Sequence, residues 1–229
     1  MSMTEPGSGF QDSMALRAEG FVLENIPTVD VDRREASLVP LADAVRDLVD
    51  ATIRTTVDNE ELDAVREGVA ELVNRLRASQ LPGPAGVRFN SESRAWNWGN
   101  AVVGLGNAVA PPLQTVHDPS GLVHAEVNLG AAYEGPPGLV HGGVTAMLLD
   151  HLMGETASGP SQRVIFTGTL TTRYLRGTPL GKVRLEARID REERRKVFVV
   201  ATVSDAEGVT VEAEGVFIQP SWAAPDELC

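Results

Sequence analysis

The stretch that decides the fold is HGGVTAMLLDHLMG, His141 to Gly154. A Gly-Gly turn opens an apolar helix in which Ala146, Leu149, Met153 and Ala157 recur at spacings of three and four, the pattern of a helix buried along one face. Asp150 sits beside that stripe rather than opposite it. A carboxylate in an apolar helix loses hydration, so it needs a partner or a use. Taken alone, Asp150 reads either as a helix residue that reaches solvent or a neighbouring donor, or as a group held there for chemistry.

Strands surround this helix on both sides in sequence. Residues 113–117, a DPSG turn at 118–121 and residues 122–129 read as a hairpin, with Val123, Ala125 and Val127 alternating against His124, Glu126 and Asn128. After the helix come strand candidates at 164–175, 182–189, 196–204 and 209–218. Val183, Leu185, Ala187 and Ile189 against Lys182, Arg184, Glu186 and Arg188 give the cleanest alternation in the chain. With turns at 190–195 and 205–208, the last three form an antiparallel meander. Two strands, one apolar helix and four more strands imply an α+β domain in which an antiparallel sheet wraps a central helix, the hotdog fold.

Upstream the grammar differs. Residues 1–37 read as a polar lead-in with a short ordered piece at 21–26. Residues 38–80 read as a helical hairpin. Its first helix starts at Pro40 and carries Leu41, Val45, Leu48, Val49 and Ile53 on one face. Its second is capped by Asp58 with Glu61, and carries Leu62, Val65, Val69, Leu72, Val73 and Leu76. These stripes must pack on each other, on the main domain or on a second subunit. A Gly/Pro/Trp connector follows at 81–106, whose Trp96 and Trp98 either line a pocket or cover the core edge. The hotdog domain spans 107–220, and 221–229 is a tail.

Composition narrows the function classes. A formal net charge of −12 argues against a general nucleic-acid binder. One cysteine, Cys229, leaves no internal disulfide and no CxxC motif, which fits a reducing cytoplasm. No signal-peptide pattern and no long apolar run occur, so neither secretion nor a membrane span is expected. His117 and His124 lack a third ligand, so no metal site is expected, and no cofactor motif is found. Residues 163–196 hold ten of the twenty Lys and Arg against four acids. That is either a solvated strand face or an attractor for an anionic ligand such as a nucleotide or a phosphopantetheine carrier.

Residues 134–150, EGPPGLVHGGVTAMLLD, followed by TGTLTTRYLR at 167–176, resemble the PaaI-like branch of hotdog-fold acyl-CoA thioesterases. The resemblance covers about residues 107–218. It implies hydrolysis of acyl-CoA with an acid nine residues after the His, which here is Asp150 after His141. It further implies Thr167 as a hydroxyl orienting the acid or water, and His141 as an ordering residue of the turn. The family's Asn six residues before the His is replaced by Gly135, with Tyr133 and Glu134 as nearby polar candidates for substrate contact.

The physics of the helix terminus fits these roles. Its unpaired N–H groups and positive dipole end allow the Gly142 amide, with Gly143 as second choice, to stabilise negative charge on a thioester oxygen. Asp150 would activate water as general base or attack the carbonyl itself. Gly142 and Asp150 lie eight residues apart, about 12 Å along one helix, too far to address one carbonyl. The site therefore needs Gly142 of one subunit and Asp150 of another, hence a homodimer or dimer of dimers. Arg173 and Arg176, with Lys182 and residues 194–196, are the expected holders of CoA phosphates. His151, pointing away from Asp150 on the helix, reads as structural. The competing readings are a non-catalytic acyl-CoA-binding module and a hotdog hydratase; the latter pairs an acid with a His in a way absent around Asp150.

Overall fold

The structure, a computed structural model, describes residues 21–160, 163–221 and 223. The expected lead-in up to residue 20 and most of the expected tail, Cys229 included, lie outside them. Two units separate at Ala110 and Pro111.

In the first unit, β1 (Phe21–Leu23) runs parallel to β2 (Val87–Phe89), and β2 pairs antiparallel with β3 (Ala95–Trp96). Two short strands thus lie where a connector was expected. Helix α1 spans Thr28–Arg54, so residues 28–37 are helix rather than lead-in, and Pro40 lies inside the helix rather than in its first turn. An interior proline costs about 3 kcal/mol, which is why sequence alone argues for a start at Pro40. Tertiary contacts offset that cost. Val31 is fully buried. Glu35 accepts from Arg94 at 3.1 Å and from Trp98 Nε1 at 2.9 Å, and Arg46 donates to the carbonyls of Ala110 at 3.1 Å and Asn107 at 2.9 Å.

Helix α2 (Asn59–Arg77) is capped as expected, Asp58 accepting from Glu61 N at 3.0 Å. The packed hairpin, however, does not form. The link leaves α1 through extended backbone at Thr55 and enters α2 through extended backbone at Asp58. The two helices do not pack along their lengths, and α2 has no buried residue. Trp96 is buried and Trp98 half-buried, their ring centroids 5.9 Å apart. With Ile26, Leu38, Leu81 and Arg88 they line a cavity of about 420 Å³.

The second unit contains β4 (Thr115–His117), β5 (Val123–Leu129), α3 (Gly142–Ser158), β6 (Phe166–Tyr174), β7 (Gly181–Glu193), β8 (Lys196–Asp205) and β9 (Gly208–Ile218). All strand pairs are antiparallel, in the order β4-β5-β7-β8-β9-β6. Helix α3 packs on β5 through β9. One helix touching so many strands of a single sheet requires the sheet to curl around it, and this is the hotdog fold. Leu148, Leu149, Leu152 and Met153 from α3 meet Val183, Leu185, Val199, Val203 and Phe217, all essentially inaccessible.

The β7-β8-β9 meander forms as its alternation implies. The charged turn expected at 190–195 is shorter: β7 continues to Glu193, and only Arg194 and Arg195 turn, Arg194 at φ +53°. A bulge between Ile189 and Arg191 lets Arg191 stack 3.6 Å over Phe198 while pairing with Asp190 and Glu193. These contacts keep charged residues in strand pairing.

Candidate active site

The α3 N-terminus is built by His141. As N-cap its Nδ1 accepts from Gly143 N at 3.0 Å, and its carbonyl accepts from Val144 N and Thr145 N. The Gly143 amide is therefore engaged within the chain, which corrects the expectation of Gly143 as a second donor. The Gly142 N–H, in contrast, has no partner among the described residues. The preceding loop is tied down by Gly135 N to Leu139 O at 2.9 Å and by His141 N to the Tyr133 carbonyl at 2.9 Å. Glu134, exposed, accepts from Gly138 N at 2.6 Å through Oε1, so one of its oxygens ties the loop. A Cβ on Gly135 would fall 2.7 Å from His141 Cα. Any side chain at this position would force the loop to shift away from the His141 backbone.

The sequence alone gives Tyr174 no role. Its hydroxyl donates to the Gly142 carbonyl at 2.8 Å, fixing the first residue of α3 against the end of β6. The only sequence signal was its place at the end of the Thr-rich strand motif.

Asp150 is half-buried on α3, and Thr167 Oγ1 donates to its Oδ1 at 2.8 Å. Oδ2 has no partner among the described residues. The aim of Thr167 comes from a bulge in β6: the register with β9 shifts between Thr167 and Thr169. Gly168 makes the bulge possible, since a Cβ there would lie 2.8 Å from Ile218 Cδ1 and 3.1 Å from the Val216 carbonyl. Bulges commonly re-aim a side chain in this way.

One turn further along α3 lies a separate polar cluster. Glu155 Oε1 accepts from Thr115 Oγ1 at 2.7 Å and lies 2.7 Å from His117 Nε2, while Glu155 Oε2 is 3.8 Å from His151 Nε2. Burial pushes the His151 pKa down, against the upward pull of Glu155 and Asp150. Among the described residues no group of three or more His, Cys, Asp or Glu is placed to hold a metal.

The basic segment resolves largely into cross-strand pairs. Arg176 is bidentate on Asp205 and also reaches the Gly208 carbonyl at 3.0 Å. That arrangement holds Asp205 down at a pKa of about 2, and it engages three of the five Arg176 N–H donors within the chain. Lys182 pairs with Glu126 at 2.7 Å and Arg163 with Glu192 at 2.6 Å. Arg173 is 78% exposed and only 3.9 Å from Glu212, the loosest of these pairs.

A wrapped sheet, a Gly-opened central helix and an acid held by a strand hydroxyl define a hotdog protein of the thioesterase type. A family model described as Thioesterase superfamily matches residues 137–212. A crystallised protein described as a thioesterase superfamily protein is 33% identical, with a TM-score of 0.69; the match covers 79% of this chain and 90% of that one. The chain belongs to the thioesterase superfamily. Among curated relatives, acyl-coenzyme A thioesterase THEM4 of Bos taurus is 32% identical over 93 residues, 39% of this chain and 38% of that protein. Acyl-coenzyme A thioesterase THEM5 of Homo sapiens is 31% identical over 93 residues, 39% of this chain and 37% of its own length. The chain thus spans less than half the length of these curated relatives.

Proposed function

We propose that the protein hydrolyses acyl-CoA thioesters to the free acid and CoA. The observation that carries the reading is the Thr167 hydroxyl on Asp150 Oδ1 at 2.8 Å, which leaves Oδ2 to act. In this reading Oδ2 takes a proton from water as its oxygen bonds to the thioester carbonyl carbon. The carbonyl oxygen, now negative, is held by the free Gly142 N–H at the positive end of α3. The C–S bond then breaks, and the CoA thiolate leaves with the proton from Asp150.

The sheet supports assembly of this site from two chains. β6 is the long edge strand, paired among the described residues with β9 alone and mostly exposed. Thr167, on Asp150, stands near one end, and Tyr174, on Gly142, forms the other. Antiparallel pairing of two β6 edges about a dyad between Leu170 and Thr171 sets Thr167 opposite the second copy's position 174. That registers Asp150 of one chain with the Gly142 turn of the other. Arg173, on the same edge and loosely paired, is the cation best disposed toward CoA phosphates. The relatives' printed names support acyl-CoA as substrate. No helix among the described residues is long and apolar enough to cross a membrane.

The test is thiol release from a panel of acyl-CoAs by wild type and Asp150→Ala, with folding and mass checked. Loss of turnover with binding retained is expected; equal rates would remove Asp150 from the chemistry.

A further inference from the structure

We propose that α2 is a self-association helix, its apolar seam packing antiparallel against α2 of a second copy of the chain. Leu62, Val65, Val69, Leu72 and Leu76 follow one another at spacings of three, four, three and four, the a/d repeat of a two-helix seam. Leu72 and Leu76 are 53% and 54% exposed, and no residue of the helix is buried. A helix of this length with no tertiary burial, and with Gly68 in its interior, is marginal by itself. Its seam needs a cover, and α1 does not supply one.

Charge and shape point to the helix itself as that cover. Its first turn is acidic, Glu60 and Glu61, and its last turn is basic, Arg75 and Arg77. A parallel second copy would set acid against acid and base against base. An antiparallel copy sets Glu61 beside the second copy's position 75 at both ends, and opposes the two helix dipoles. Neither the Glu61 carboxylate nor the Arg75 guanidinium has a partner among the described residues, and both flank the seam. Gly68, at mid-helix, has open space where a side chain would be, so two helices can approach closely at the dyad.

The inference does not depend on the hydrolytic reading, and it is read without substrate. In the full chain with Cys229→Ser, Val69→Cys stands near the dyad and meets its own copy. Leu62→Cys is displaced from its copy by about 18 Å along an antiparallel pair, beyond the Cα separation of about 4.4–6.8 Å that a disulfide spans. Under mild oxidation, Val69→Cys should form a chain-to-chain disulfide and Leu62→Cys should not. Linking in both would mean a parallel pair, linking only at 62 another register, and linking in neither a seam covered by something else; each overturns the proposal. Adding Glu61→Arg to the Val69→Cys chain should slow linking about tenfold, and adding Arg75→Glu to that should restore it. Both reversals weaken the helix's own end charges, so restoration can come only from pairing between chains, and its failure would overturn the antiparallel register.

Discussion

Gly142→Pro tests the division of the site between chains. Proline suits the first position of a helix, and Gly142 is that position in α3. The preceding residue, His141, already has φ −61° and ψ 131°, the extended backbone that a following proline requires. The substitution deletes one N–H that has no partner among the described residues, but its Cβ would lie 3.3 Å from the Tyr174 ring and hydroxyl, so Tyr174 must give by a few tenths of an ångström and folding is checked by melting. Loss of one oxyanion donor lowers turnover about 100- to 1000-fold. Asp150→Asn, isosteric and uncharged, should be comparably inactive. When the two variants are co-expressed with different tags, random pairing makes about half the dimers mixed. Each mixed dimer has one doubly defective site and one intact site, so the purified mixed species should show about half of wild-type turnover and the unfractionated mixture about one quarter. Steady-state thiol release from the doubly purified mixed species measures this directly. If the mixed species is no more active than its parents, Gly142 and Asp150 do not act across a subunit boundary, and the reasoning from helix length is refuted.

Two further outcomes follow from the same contacts. Thr167→Val removes a hydrogen bond to a charged acceptor, worth about 1.5–3 kcal/mol, so kcat should fall roughly ten- to a hundredfold with KM little changed; Thr167→Ser should recover most of the rate, and full activity in the Val variant would deny Thr167 a positioning role. In pH-dependent melting, His151 has a folded pKa below its unfolded value. The unfolded chain therefore binds more protons in that window, so stability declines as pH falls below about 6.5 and His151→Gln flattens this limb. Asp205 is depressed from 3.8 to about 2, so its contribution is present above 3.8 and disappears as pH falls through 2, where Asp205→Asn and wild type should converge.

The wrapped core was legible because its signals are local. The stripe Leu149, Met153 and Ala157 and the alternation through Val183, Leu185 and Ala187 each lie within one element, and those residues are buried. Asp150 and Thr167 were legible as a pair only through the family motif. What escaped depends on register or tertiary context. Nothing near Arg176 announces Asp205, because the pair closes across strands twenty-nine positions apart. The early start of α1 was hidden by Pro40, whose local cost is outweighed by partners such as Arg94 and Trp98, far along the chain. The bulge at Gly168 and the reach of Tyr174 to Gly142 likewise require knowing which strand lies beside which.

The exposed edge of β6 has a consequence for how such a catalyst would behave in dilute solution. If both half-sites are joined by that one strand, a lone chain is folded yet silent. Specific activity would then rise with protein concentration until pairing saturates, and the two sites of a pair would appear and vanish together. A short extended peptide matching residues 166–174 could occupy the edge by strand addition, and it would silence the protein by competing for company rather than for substrate.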